Sequence, residues 1–408
     1  MNELRRVYLD HNATAPVHPE VLEAMLPFFQ SEYGNPSSVH QFGRSVKAKI
    51  SEARETVAHA MGADPSEIYF TSGGTEADNL AVKGAAFARG PNGGGIITST
   101  IEHPAILEVA KYLSKNGYKS AIVEVDSDAM VDPEAVREAI DDETIIVSIM
   151  HGNSEVGSIQ PVKKITGIVK ERGVLMHTDA VQTFCKIPLN VDDLGVDMMS
   201  VSGHKIYAAK GVGALYIRKG TKIHPLAHGG HHERGRRAGT ENVAGIIGFA
   251  KAVEIGMANM DTYIEHVKSL RDDLQKRITD EIPFVRLNGH PTERTPGTLN
   301  MSFECVEGEA LLINLDMVGI AISTGSACSS GSLDPSHVLM AMGIPHEIIH
   351  GSLRFSFGSG NTTEDVDYVM SHLPRIINTI REISPLWNPQ KQEVISLEQA
   401  ESDANLGR

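Results

Sequence analysis

The chain has 408 residues, 41% hydrophobic, 22% charged and 5% aromatic, enough apolar material for one large core or two lobes and too much for a disordered or fibrous protein. Its 37 Lys and Arg against 52 Asp and Glu give a formal charge of −15, which repels phosphate backbones and anionic membranes and argues against nucleic-acid binding. Three scattered cysteines (Cys185, Cys305, Cys328) exclude a disulfide framework or a paired-cysteine zinc site and fit a reducing compartment. The first residues carry no apolar signal core, and no stretch approaches the ~18 apolar residues of a membrane span, so a soluble, untargeted, cytoplasmic protein is expected.

In chain order, residues 45–61, 76–87, 104–114 and 162–172 have helical apolar spacing. Between and after them, 67–71, 95–99, 120–125, 144–150, 175–179 and 198–202 are short apolar, β-branched runs bounded by Gly, Asp and Ser. Such alternation predicts a mostly parallel sheet covered by helices, with ligands gathered beyond the carboxyl ends of the strands. A long helical stretch, 243–281, reads as a connector. Beyond it, strands at 299–303 and 353–358 and helices at 308–316 and 363–382 predict a smaller α+β unit, and the polar, acidic residues from 388 onward predict a mobile tail.

Chemistry-bearing residues fall at the expected strand ends. Lys205 follows the apolar run 198–202 in a Ser-Gly-His-Lys turn, where partial desolvation favours the neutral amine needed to form an imine; elsewhere a lysine is usually a surface residue. Asp179 ends the preceding run and could hold a cation, cap a helix or pair with a pyridinium nitrogen. Thr71-Ser-Gly-Gly-Thr75 joins a strand to a helix and offers free N–H groups at a helix N-terminus, a natural phosphate seat, though it also reads as an ordinary helix start. Cys328 lies in the Gly/Ser-rich run 322–335, where an exposed thiol is a liability unless it reacts, whereas Cys185 and Cys305 sit among apolar neighbours and read as packing residues.

His346-Glu-Ile-Ile-His350 matches a zinc-peptidase pattern, but Pro345 and Gly351 leave little more than one helical turn, and a chance match is the better reading. The His- and Arg-rich run 228–237 suits an anion-contacting loop better than a metal site. No metal is expected as a resident cofactor.

These pieces, in this order, resemble the cysteine desulfurases among the fold-type I pyridoxal-phosphate enzymes, the group serving iron–sulfur cluster and nitrogenase maturation. The resemblance runs from Tyr8-Leu-Asp-His-Asn-Ala-Thr through Tyr33-Gly-Asn-Pro-Ser-Ser38 to Arg354, and Thr324-Gly-Ser-Ala-Cys328 is similar to the longer catalytic loop of that group. It implies an α/β fold of the PLP-dependent transferase type. A large domain at 15–262, a small domain at 1–14 with 263–387, and a tail at 388–408 that could dock partners are the implied divisions.

Carried over by resemblance, pyridoxal 5'-phosphate is the cofactor, Lys205 its Schiff-base lysine and Asp179 the partner of its ring nitrogen. Gln182 would bond the phenolic oxygen, and His103 would stack on the ring and shuttle protons. Gly74, Thr75, Ser202 and His204 would hold the phosphate, with Thr240 reaching across from a second subunit of a homodimer. Arg354 would fix the substrate carboxylate, and Asn35 would help orient it. The chain departs from the family where an asparagine usually precedes Glu155: Ser154 stands there, and Asn153, a water or Gln182 are the candidate substitutes.

The implied reaction takes sulfur from L-cysteine, leaving L-alanine and a persulfide on Cys328, which passes to an acceptor such as an iron–sulfur scaffold and could transiently ligate a cluster. A selenocysteine lyase, another aminotransferase-like enzyme and a non-catalytic scaffold are the alternatives. The sequence does not choose among acceptors.

Overall fold

The structure is a computed structural model that describes residues 5–90, 93–324, 335–388 and 392–395. Cys328 and most of the expected tail lie outside the described residues.

Seven strands form the main sheet in the spatial order Ile68–Thr71, Gly213–Ile217, Met198–Ser202, Leu175–Asp179, Thr144–Ser148, Gly95–Ser99, Lys119–Val123. All run parallel except Gly213–Ile217, which is antiparallel to both neighbours. The alternation of helical and apolar segments located the six parallel strands but not this seventh. Residues 203–212 contain no crossover helix, so the strand that follows returns antiparallel beside the one that precedes it. Buried Val, Ile and Met on both faces fill the core against the helices Gln41–Met61, Val162–Glu171 and Val243–Ala258 on one side and Gly74–Arg89 and Pro104–Lys115 on the other.

Helix starts follow capping chemistry. Gln41–Met61 begins four residues before the expected position because the His40 ring accepts from the Gly43 N–H, and it stops at Gly62, whose φ of 71° is left-handed. The helices Pro19–Met25 and Pro133–Ala139, each led by a proline, were too short to show periodicity.

The stretch 243–281 is not one helix. It bends by 74° at Asn259 into Val243–Ala258 and Met260–Glu281. The first piece is apolar around most of its surface and buried in the large core, while the second packs one apolar stripe on Thr363–Glu382, so a straight rod could not serve both. No single helix among the described residues is long and apolar enough to cross a membrane.

A second core gathers Val7 and Leu9 with Val267, Leu274, Phe303, Phe355 and Leu373 around an antiparallel sheet of Ser352–Ser356, Thr298–Phe303 and Val285–Asn288. The N-terminal strand Val7–Tyr8 pairs in parallel with Ile320–Ala321, and Asp10 bridges to Ser356. That thread carries the chain directly into the space where the two cores meet. At the far end Trp387–Asn388 pairs with Glu393–Val394, so the expected tail starts with a short hairpin.

Candidate active site

The carboxyl ends of the parallel strands release four short segments toward one cavity of about 350 Å³. Thr71 leads to Gly74 and Thr75, Ser148 to Met150 and Ser154, Asp179 to Gln182, and Ser202 to His204 and Lys205. Asn12, Ala13, Asp78, His103 and Arg354 complete its lining. Ten of the residues singled out in the sequence therefore meet in one place: Gly74, Thr75, His103, Ser154, Asp179, Gln182, Ser202, His204, Lys205 and Arg354. Asn35 and Thr240 do not line it; both are exposed in this single chain, and the Asn35 carboxamide oxygen accepts from the Ser37 N–H.

Lys205 ends a single 3₁₀ turn, Gly203–Lys205, directly after its strand. Its Nζ donates to the carbonyl oxygens of Asn12 and Ala13 at 2.5 and 2.8 Å. Gln182 Nε2 donates to the same Asn12 carbonyl at 2.9 Å. The N-terminal segment thus supplies a backbone acceptor shared by two expected site residues. Nothing in residue type or spacing marks a main-chain carbonyl, which is why Asn12 received no role from the sequence although its motif carried the resemblance.

Asp179 is buried, and one of its carboxylate oxygens accepts from the Val181 N–H at 2.8 Å. Burial pushes its pKa up, opposed by His103, that N–H and Lys205. Asp78, on the first turns of Gly74–Arg89, is wholly buried with an oxygen that lacks a hydrogen bond, and burial followed by the charge of Asp179 drives its pKa well up. Glu102 accepts from Ser99 Oγ and the Met150 N–H at 2.6 and 3.0 Å, and burial lifts it to about 8. Glu102 therefore holds its proton at neutral pH, and burial raises the proton affinity of Asp78 and Asp179 in the cavity wall. Sequence reading missed Asp78 and Glu102, since a carboxylate inside a helical or turn segment looks solvated until its neighbours are known.

His103 caps the helix Pro104–Lys115, its Nδ1 accepting from the Ala105 N–H at 3.1 Å. A neutral ring so held carries its proton on Nε2. Burial lowers the His103 pKa against the pull of Asp179. His204 lies 3.2 Å through Nδ1 from Thr14 Oγ1, and burial, then the cations Lys205 and Lys210, bring it down to about 4, so the ring is neutral.

The N-terminus of Gly74–Arg89, a helix of 16 residues, faces Ser202 and His204 across the cavity, and it directs unpaired backbone N–H groups there. Gly73 has φ of 146°, which side-chain-bearing residues avoid. A Cβ on Gly74 would meet Val181 Cγ2 at 2.8 Å and Ser202 Cβ at 3.6 Å, so a side chain there would push on the Val181 and Ser202 wall of the cavity.

Arg354 is 1% exposed and reaches the cavity from the small sheet. Nη2 pairs with Asp10 Oδ1 at 2.7 Å and Nη1 donates to the Ser154 carbonyl at 3.1 Å, while Nε is buried without a partner. Ser154 thus lines the cavity and contributes its carbonyl to the arginine. Asn153 cannot substitute at the cavity: its carboxamide is committed to the N–H groups of Glu155 and Val156 and the carbonyl of Ile101. The His346–Ile349 helix has four residues, and among the described residues no group of three or more His, Cys, Asp or Glu is arranged to hold a metal ion.

A lysine one turn past a buried strand, a carboxylate at the end of the adjacent strand and an open helix N-terminus beside them define the α/β architecture of PLP-dependent transferases. The family model for class-V aminotransferases matches residues 7–369, and the chain belongs to that family. It is 52% identical over 381 residues to the cysteine desulfurase IscS of Dictyoglomus turgidum, covering 93% of this chain and 97% of that one. Among solved structures it is similar to a NifS-like protein, with a TM-score of 0.85 and 42% identity over 93% of this chain and 99% of the other. A structure of SspA in complex with cysteine aligns with a TM-score of 0.78 and 34% identity, over 87% and 100% of the two chains.

Proposed function

We propose that the chain is a cysteine desulfurase that uses pyridoxal 5'-phosphate to convert L-cysteine into L-alanine and carries the sulfur away on Cys328. The observation that carries this reading is the meeting of Lys205, Asp179, Gln182, His103, His204 and Arg354 around one cavity, in a chain half identical to cysteine desulfurases over nearly its whole length. The glycine-floored seat at Gly74 and the buried carboxyl of Asp179 fit a phosphorylated pyridine. When bound, the cofactor supplies an aldehyde that condenses with amines and a ring that accepts the electron pair left by a broken Cα–H bond.

In this reading Gly74, Thr75, Ser202 and His204 would hold the phosphate, with neutral His204 donating its ring N–H there without adding charge. Asp179 faces the ring nitrogen, and its raised proton affinity favours a proton shared at that contact. His103 would help hold the ring, and its Nε2 proton is the one available for exchange. Gln182 meets the phenolic oxygen. Lys205 would take the Cα proton, and the neighbouring Asn12 and Ala13 carbonyls hold its amine in place. Arg354 takes the substrate carboxylate through a planar fork, and Asn35 assists in orienting it. Ser154 occupies the place of the usual asparagine, and Gln182 rather than Asn153 compensates.

The sulfur balance closes without an external oxidant: L-cysteine and the Cys328 thiol become L-alanine and a Cys328 persulfide. The persulfide then passes to a sulfur-acceptor protein such as an iron–sulfur scaffold. The large unit at 15–262 and the small unit at 1–14 with 263–387 meet at the cavity, a second subunit lends Thr240 to the phosphate, and the homodimer works in the cytoplasm. Partner docking falls to 388–408. Mass spectrometry of the Cys328 peptide after exposure to L-cysteine tests the assignment: a gain of one sulfur atom there is expected, and its appearance only on Cys185 or Cys305 would refute it.

A further inference from the structure

Four residues beyond Gln182, on the same side of the same winding segment, stands a second lysine. Lys186 is 7% exposed, and its backbone N–H and that of Ile187 both return to the Thr183 carbonyl, which gives the segment a helical turn and brings residues 182 and 186 together. Cys185, directly before it, has φ of 56°, and Lys186 itself is buried. Lys186 Nζ donates to Gln182 Oε1 at 3.3 Å. No carboxylate lies within ion-pairing distance of it among the described residues. The charged groups that act on it, Lys205 and Arg354, are cations, and nearby His11 is kept neutral by burial and by Lys186 itself.

A buried lysine without a counter-ion is costly, and Met or Leu would fill the same space at lower cost. Its hydrogen bond has a definite consequence. A lysine ammonium carries only donors and the Asn12 carbonyl only acceptors, so together they favour one orientation of the Gln182 amide: oxygen toward Lys186, nitrogen toward Asn12 and the cavity. Reversal would set a donor against the ammonium and an acceptor against the carbonyl. Burial, then the charges of Lys205 and Arg354, lower the Lys186 pKa to about 7; the neutral amine still donates but also offers a lone pair, so the lock is fullest in the ammonium form and rests on the Asn12 carbonyl in the neutral one.

We propose that Lys186 is a positioning residue that locks the Gln182 amide with its N–H groups toward the cavity, so that Gln182 donates to the ionised phenolic oxygen of the cofactor. This rests on the reading of the cavity as a pyridoxal-phosphate site. With the lock removed the amide turns over in part, its oxygen faces the phenolic oxygen, and the cofactor shifts toward the form with a protonated phenol.

A double-mutant cycle tests it. The parent, Lys186→Met, Gln182→Leu and the double variant are reconstituted with pyridoxal 5'-phosphate, and the ratio of the long-wavelength absorption band (ionised phenolic oxygen) to the short-wavelength band (protonated phenol) is measured at one pH. Each single change is expected to lower the ratio about fivefold, and the double variant to match Gln182→Leu, because Lys186 acts through that amide. An unchanged ratio in Lys186→Met, a silent Gln182→Leu, or a double variant that shows the product of both effects would overturn the proposal. Melting of the four apoproteins reports folding, and Lys186→Gln serves the same comparison where Lys186→Met does not fold. The cycle needs only bound cofactor, so a protein that releases no alanine from L-cysteine can still pass it, and the two readings fail separately.

Discussion

Changing Asp10 to Asn isolates what the N-terminal thread does for the site. Asp10 is the carboxylate that faces Arg354, at 2.7 Å from Nη2, and the guanidinium is 1% exposed with its Nε already lacking a partner. Asn keeps one oxygen acceptor for the guanidinium and removes the charge, with an amide NH2 in place of the second oxygen. Two unit charges about 4 Å apart at an effective dielectric near 20 attract by about 4 kcal/mol. The Asp10 side chain is 20% exposed, and its rehydration on unfolding returns roughly half of that, leaving a loss of about 2 kcal/mol. Trp387, the single tryptophan, packs edge-on against Phe284 beside the second core, so its fluorescence follows that unit in urea. A fall in unfolding free energy near ~2 kcal/mol with the same urea dependence is expected. A change below ~0.5 kcal/mol would show that Asp10 does not hold the buried cation and would refute the electrostatic account of that corner.

Further outcomes follow from the same geometry. Arg354→Lys, which loses the planar fork, should raise the KM for L-cysteine about 100-fold with a smaller change in kcat, and an unchanged KM would remove the carboxylate assignment. Gly74→Ala places a methyl 2.8 Å from Val181 Cγ2, so cofactor titration should show affinity lower by about tenfold or more, against no change if the phosphate sits elsewhere. Glu102 has a folded pKa of about 8, above the ordinary carboxylate value, so its contribution to stability is full below about pH 4.5 and is lost as pH rises toward 8. Glu102→Gln should therefore flatten the stability–pH curve across that window, where the parent slope from this group is at most about 1.4 kcal/mol per pH unit, and an identical curve would count against it.

The parallel sheet was legible because its strands are buried runs separated by amphipathic helices, and Leu175–Asp179 and Met198–Ser202 sit where the pattern put them. Gly213–Ile217 was not, since a short run after a turn gives no periodic signal. The bend at Asn259 was equally hidden: both halves are helical locally, and only the need to serve two cores breaks them. In the site, Lys205, Asp179 and the Gly74 turn announce themselves by type and position at strand ends. Asn12, Asp10, Asp78 and Lys186 do not, because their parts depend on a carbonyl, a distant ion pair and burial, all fixed by chain segments far apart in sequence.

The most direct test of the account is the release of alanine from L-cysteine by the purified, cofactor-loaded protein beside its Cys328→Ala variant under one reducing condition. The account predicts alanine from the parent and little or none from the variant. Equal release from both would contradict Cys328 as the sulfur acceptor, and no release from either would contradict the desulfurase reading itself.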